Sequence, residues 1–337
     1  MAGFLQRPLT AQVCEYNVKT IMTILTARVP EELAGMRLDQ CLAEVFPDYS
    51  RSKLQTWIKA GRVLVDGEPM KGRDKLDGGE EIELDAEAEL VIEDTPEDIP
   101  LDIVYEDDAL LIVNKPAGLV VHPAVGNWSG TLVNALLHHA PQLATLPRAG
   151  IVHRIDKETS GLLMIAKTLQ AHNNLVEQLQ NRTIEREYLA LVKGWMTAGG
   201  TVNQPIGRHP VDRKRNAVRR DGKEAITHYR LERRFKRHTL IRVKLETGRT
   251  HQIRVHMTHI NYPLVGDPVY GGRFQMPADC SPPLAEALRN FKRQALHAAK
   301  LGLEHPETGE YCEWTQALPE DMQQLIDLMA ENELDQA

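Results

Sequence analysis

Apolar positions near the start of the chain recur at helical spacing before they switch to the alternation of strands. Leu38, Cys41, Leu42 and Val45 fall three and four apart and Pro47-Asp48 ends the run, which predicts an amphipathic helix. Ser50 is placed to cap a second helix with Leu54, Trp57 and Ile58 inward, and Gly61 to close it. Arg62-Val63-Leu64-Val65 then reads as a strand, Asp66-Gly67 as a hairpin turn, and Glu81 to Leu84 as a closing strand. The pattern predicts a small α+β domain over 29–88. It is preceded by an extension, 1–28, without clear periodicity, and followed by an acidic, proline-bearing linker, 89–100.

Strand signals dominate the region 101–332. Asp102 to Tyr105 and Ala109 to Asn114 flank an acidic turn, and Lys115-Pro116-Ala117-Gly118 turns the chain again. Thr131 is placed to cap a helix with Leu132, Val133, Leu136 and Leu137 on its apolar side. Thr168 is placed likewise before Leu169, Val176 and Leu179. Ile151-Val152 and Leu162 to Ala166 read as strands around a polar loop, His153 to Ser160. Further strands are expected at Tyr188 to Val192, Ala225 to Leu231 and Leu240 to Leu245. Pro319 opens a final helix with Met322, Leu325, Ile326 and Met329 on one face. No internal repeat is visible, and the expected class is a strand-rich α+β fold.

Composition narrows the class without naming a function. The chain has 337 residues, 42% hydrophobic and 26% charged, as in globular proteins. It lacks the run of about eighteen uncharged apolar residues that a membrane span needs. No sustained apolar core with a cleavage site opens the chain, so a cytoplasmic protein is expected. Cys14, Cys41, Cys280 and Cys312 form no CxxC pair and read as reduced thiols.

The net charge of −7 argues against a nucleic-acid partner until its distribution is read. Residues 76–110 hold fifteen acids and no Lys or Arg, whereas residues 208–254 hold sixteen Lys or Arg against five acids. Phosphates respond to the local field, screened over roughly 8 to 10 Å, so the basic stretch points to RNA or DNA.

Gly150-Ile-Val-His-Arg-Ile-Asp-Lys-Glu-Thr-Ser-Gly-Leu-Leu places Arg154, Asp156 and Lys157 in a loop between two apolar strands, a common setting for catalytic groups. On chemistry alone a lone Asp there is more often a turn-former. His153 to Leu162, however, resembles the catalytic signature of the large-subunit ribosomal RNA pseudouridine synthases. Further blocks match the same family in order: Asn114-Lys115-Pro116-Ala117-Gly118 with His122-Pro123, Arg186-Glu187-Tyr188, Thr247 to His256, and Gly266-Asp267-Pro268-Val269-Tyr270-Gly271. Ile155 stands where Leu is more common in that signature. The N-terminal unit, from Arg37-Leu38-Asp39 through Ser50-Arg51-Ser52-Lys53 to Val65-Asp66-Gly67, is similar to the S-four-type RNA-binding domain.

The resemblance implies a mixed, mostly antiparallel catalytic sheet behind the S-four-type domain. It also implies isomerisation of uridine in 23S rRNA, at the stem-loop of the subunit interface, without a cofactor. Asp156 would be the catalytic carboxylate, Arg249 its ionic partner and Tyr188 the residue lying against the base and a candidate for the closing proton abstraction. Whether Asp156 attacks the ribose, attacks the ring or removes a ribose proton stays open. Arg154 would fill the space that the extruded uridine leaves. Arg51, Lys53, Lys59 and Arg62 in the first domain, and Arg213, Lys214, Arg215, Arg219 and Arg220 in the basic loop Arg208–Lys223, would contact phosphates. The expected partner is 23S rRNA or a precursor of the large subunit, bound by a monomer.

His251, His256 and His259 lack an accompanying carboxylate or cysteine at ligand spacing, so no metal is expected. No GxxxxGK[ST] or GxGxxG loop supports a nucleotide cofactor. A non-catalytic RNA-binding protein and an RNA glycosylase are the competing readings. The resemblance begins near Met22, and Met22-Thr23-Ile24-Leu25-Thr26 reads like a natural N-terminus, so 1–21 is expected to be a misassigned start or an extension.

Overall fold

The structure, a computed structural model, describes residues 23–46, 51–86, 95–123, 126–212, 215–277 and 280–334. The chain divides into two compact units, 1–93 and 94–337. The expected N-cap Ser50 and most of the extension 1–28 lie outside the described residues.

In the first unit, β1 (Thr23–Arg28) precedes α1 (Leu38–Val45) and α2 (Arg51–Lys59). Three strands follow: β2 (Val63–Val65), β3 (Glu68–Pro69) and β4 (Glu81–Ala86). They form a sheet in the order β1-β4-β2-β3. Leu38, Cys41, Leu42, Leu54, Trp57 and Ile58 fill its core, as their helical spacing predicts. Asp66 (φ 49) and Gly67 (φ 82) make the left-handed pair that a two-residue hairpin needs. One difference stands out. Thr23–Arg28 is a strand paired along its length with β4, so the unit starts before residue 29. Its partner lies far away in sequence, and such pairing leaves no local periodicity to read.

The second unit opens with β5 (Ile103–Glu106), β6 (Leu110–Lys115), α3 (Leu132–His139), β7 (Ser160–Ala166) and α4 (Leu169–Gln180). It continues with β8 (Glu185–Lys193), β9 (Gly200–Asn203), β10 (Ile206–Arg208) and β11 (Asn216–Val218). Then come β12 (Ile226–Arg234), β13 (His238–Leu245), α5 (Gln252–His259) and α6 (Pro282–Asn290). β14 (Leu296–Glu304), β15 (Tyr311–Thr315) and α7 (Glu320–Leu334) complete it. The main sheet runs β5-β6-β7-β14-β8-β13-β12-β9, with β15 on β14. Every pairing in it is antiparallel except β14 with β7.

Thr131 caps α3 in a capping box with Asn134, and Thr168 caps α4, as their positions predict. Leu169 departs from expectation. It is 55% exposed, because the buried face of α4 is set by Ala171, Leu175 and Gln178. Ile151 makes only an isolated bridge with Ile165 rather than a strand. Among the described residues no helix is long and apolar enough to cross a membrane.

Two histidines are locked neutral in this core. Burial, reinforced by Lys193, pulls His238 down to about 4. Burial pulls His297 to about 4 against the opposing Gln316 carbonyl, while its Nδ1 meets Ser160 Oγ at 2.9 Å. An unfolded imidazole protonates near 6.5, so above that pH both states bind equal protons and the pair is silent. Between 6.5 and 4 the unfolded state binds more protons, and stability falls by up to about 2.7 kcal/mol per pH unit for the two together. Urea melts at pH 7.5, 6.0 and 5.0 should therefore show a steep acid loss well above the carboxylate range, and a flat profile would contradict neutral burial.

Candidate active site

The loop that leads into β7 is held from several sides. Thr159 N donates to Asp156 O at 3.0 Å, and Gln294 Nε2 donates to Thr159 Oγ1 at 3.0 Å. Arg293 Nη1 reaches Glu158 O at 3.4 Å while its other nitrogens donate to Asp321 at 2.7 Å each. Lys115, 1% exposed, donates to the carbonyls of Pro116 (2.7 Å), Leu119 (2.9 Å) and Lys157 (2.9 Å). Three carbonyls match the three donors of an ammonium. Burial nevertheless pulls that ammonium down to about 7. At the start of β7, Gly161 has φ 111, and a Cβ there would lie 2.2 Å from Ala298 O, so only glycine lets β14 approach.

Asp156, 20% exposed, accepts from Arg254 Nη1 at 2.9 Å. The rest of that guanidinium forks onto Asp267, Nε to Oδ2 at 2.7 Å and Nη2 to Oδ1 at 2.9 Å. Burial opposes the charge on Arg254, but the two carboxylates overcome it and hold the arginine above its ordinary range. Asp267 is itself fixed by the N–H groups of Val269 (2.8 Å) and Tyr270 (2.9 Å). His251 enters α5 at φ 59, which brings its Nε2 to 3.9 Å from Asp156 Oδ1 while its Nδ1 meets Tyr270 Oη at 2.8 Å. Asp156 is thus an oriented carboxylate, Oδ2 bonded to Arg254 and Oδ1 3.9 Å from His251 Nε2, on the wall of an open space.

That space is a cavity of about 570 Å³. Its walls are the 151–159 loop, the C-terminal turns of α4, the side chains of Arg186 and Tyr188 from β8, and the 245–254 connection. Tyr188 is 6% exposed, and burial raises its phenol, opposed by Arg186 and aided by Asp156. Burial, with Arg186 nearby, pulls His153 down to about 3, and its Nε2 accepts from Met164 N at 3.1 Å. Burial, with Arg154 and Arg148 nearby, pulls His122 to about 4.

Asp156, Tyr188, Arg249 and Arg154 therefore line one cavity. The pairing expected of Arg249 falls instead on Arg254. Arg249 Nε donates to Glu224 O at 2.9 Å, because it precedes α5, whereas Arg254 lies on the buried face of that helix. Arg154 is exposed at the rim.

The expected phosphate contacts divide. Arg51 and Lys59 are exposed on α2, with Arg51 3.9 Å from Glu44. Arg62 lies 3.8 Å from Asp85. Arg213, Lys214 and the side chain of Lys53 lie outside the described residues. In the second unit β10 and β11 pair as a hairpin. Arg220 is exposed, but Arg219 is bound to Asp221 at 2.7 and 2.6 Å, and Arg215 lies 5.3 Å over the Tyr270 ring. Arg215 is therefore turned toward the Asp156 network, away from a free surface.

Arg186 and Arg254 line the candidate site, and Lys115 and Asp267 hold its loop and its arginine, although their motif blocks assigned them no role. A charged residue inside an apolar run, as in Ile253-Arg254-Val255, is the signal that marks such a buried ion.

A sequence profile for RNA pseudouridylate synthase matches residues 109–259, and one for the S4 domain matches residues 36–82. Ribosomal large subunit pseudouridine synthase D of Pseudomonas aeruginosa is 56% identical over 306 residues, 91% of this chain and 96% of that protein. The protein of the same description from Escherichia coli is 56% identical over 306 residues, 90% of this chain and 94% of its own. The solved structure of Human RNA Pseudouridylate Synthase Domain Containing 4 shares the fold, with a TM-score of 0.54 over 68% of this chain and 92% of its own at 23% identity. With more than half its residues shared across nearly the full length of such relatives, the chain belongs to the RNA pseudouridylate synthase family.

Proposed function

We propose that the protein isomerises uridine to pseudouridine in 23S rRNA, at the stem-loop of the subunit interface, with Asp156 as the nucleophilic carboxylate and no cofactor. The observation that carries this reading is the Asp156 carboxylate, held at 2.9 Å by Arg254 and open to a cavity rimmed by arginines. The descriptions of the Pseudomonas and Escherichia relatives supply the substrate class.

The reaction breaks C1′–N1 and forms C1′–C5; C5 loses a proton and N1 gains one. Atoms and electrons balance within the nucleotide, so a positioned carboxylate and a proton carrier suffice. Arg254 keeps Asp156 ionised and aimed, which a nucleophile requires. Tyr188 lies under the base as the surface it rests on. Burial raises its phenol and keeps it protonated at neutral pH, which suits it to donate a proton toward N1 rather than to take the one that C5 loses.

A stacked uridine is out of reach of this cavity, so the base must be extruded, at about a few kcal/mol. Arg154 on the rim is placed to occupy the gap. Arg51, Lys59 and Arg220, exposed and basic, are the phosphate contacts that this reading favours. The protein acts in the cytoplasm as a monomer on 23S rRNA or its precursor.

Incubating the purified protein with a 23S rRNA transcript and mapping pseudouridine by mass spectrometry tests the reading. New pseudouridine at discrete positions is expected. Release of free uracil would make the protein a glycosylase, and unchanged RNA that is nonetheless bound would make it a non-catalytic binder.

A further inference from the structure

Arg186 is a buried cation that no carboxylate matches among the described residues. Strand alternation puts it on the same face of β8 as Tyr188, lining the cavity, and it is 7% exposed. Other buried arginines of this unit are matched, Arg254 by Asp267 and Asp156, and Arg293 by Asp321. Among the described residues no carboxylate pairs with Arg186. Its Nη2 donates to Glu246 O at 3.3 Å, and its Nε is enclosed without an acceptor. The adjacent Glu187 points to the opposite face and meets Arg242 at 3.4 Å.

The surroundings keep the guanidinium where it is. A Cβ on Gly248 would lie 3.0 Å from Arg186 Nη1, so the missing side chain lets the connection after β13 close down on the cation. An unpaired buried charge destabilises a fold strongly, and its retention requires something that offsets the cost when the protein works. The open side of the site is the catalytic cavity.

We propose that Arg186 is a catalytic residue whose guanidinium receives a carbonyl oxygen of the target uracil and stabilises the negative charge that develops on it. The inference rests on the isomerase reading above. It holds for each way in which Asp156 can act. If the C1′–N1 bonding pair stays on the base, the charge spreads over N1, O2 and O4; if Asp156 adds to the ring at C6, the charge goes to O4. In both cases the charge leaves the oxygen when C5 bonds C1′, and it returns transiently when C5 gives up its proton, until N1 gains one. A fixed donor aimed at an oxygen that becomes anionic acts only in the transition state and the intermediate.

Depth separates the base from the phosphate as the group bound. Arg148 and Arg154 are exposed at the rim, where a phosphodiester keeps its water, whereas Arg186 lies at the floor beside Tyr188.

The test compares wild type, Arg186→Met and Arg186→Lys on a 23S stem-loop transcript by single-turnover rate, RNA affinity and melting temperature. Arg186→Met is expected to lower the rate by about 10²- to 10³-fold with affinity within about threefold of wild type. Its melting temperature is expected to be equal or higher, because the unmatched charge is gone. Arg186→Lys keeps the charge without the planar fork and should recover part of the rate. A lower melting temperature with an unchanged rate makes Arg186 structural and overturns the inference. Weaker affinity with a normal rate at saturation assigns it to a phosphate and overturns it as well. Active wild type with an undiminished Arg186→Met rate removes the inference alone; wild type that forms no pseudouridine removes the parent reading with it.

Discussion

Asp156→Asn lowers the rate of pseudouridine formation by on the order of 10⁴-fold or more, while RNA affinity stays within about threefold of wild type. Asparagine has the same shape, and its Oδ1 can still accept from Arg254, whose fork onto Asp267 at 2.7 and 2.9 Å does not depend on residue 156. The fold therefore survives the change at a cost of about 1 kcal/mol. What disappears is the carboxylate charge, and a neutral amide is a poor nucleophile and base. Binding does not suffer, because removing a negative charge from an arginine-rimmed cavity does not repel phosphate. Pseudouridine mapping on rRNA treated with the variant measures the effect, and product at the wild-type level would remove Asp156 from the mechanism.

The second large effect belongs to Arg254→Met, which both unfolds more readily and is inactive. Without the guanidinium, Asp267 is left with a side chain that is 0% exposed and no counter-ion, a loss of about 3 to 5 kcal/mol. Arg254→Lys restores the charge but cannot serve two carboxylates in fixed directions, so it recovers stability more than rate. Replacing Asp267 by Asn in the Arg254→Met background should return part of the loss, since neither partner is then left charged and alone. Arg249→Met, which removes a partly exposed side chain bonded to one backbone carbonyl, is expected to cost less than about 1 kcal/mol. Urea melts of these variants decide the matter. Equal losses at positions 249 and 254 would contradict the network built around Arg254.

Those two arginines also mark where sequence reading reached its limit. Both sit in the block Thr247 to His256, and the block alone does not say which one turns inward. The direction is set by His251, whose left-handed backbone starts α5 on a particular face, and no periodicity signals that. Local rules worked where local interactions decide: Thr131 and Thr168 cap helices, Asp66-Gly67 forms the hairpin, and the stripe of Met322, Leu325, Ile326 and Met329 packs inward. Leu169 failed because a first-turn leucine next to a cap can point outward without cost when Leu175 anchors the helix. β1 was missed because its partner, β4, is distant in sequence. Lys115 reads as a surface lysine in any one-dimensional pattern, and only the convergence of three carbonyls on its Nζ shows otherwise.

The clamp that Arg293 and Asp321 place on the Glu158 carbonyl carries a consequence for biosynthesis. Asp321 opens the last helix, and the Arg254 contact to Asp156 already spans 98 residues. A chain emerging from the ribosome thus presents its catalytic loop long before the groups that set it. On the proposed function, the loop that carries Asp156 is therefore set only after Arg254, Arg293 and Asp321 have been made and have docked.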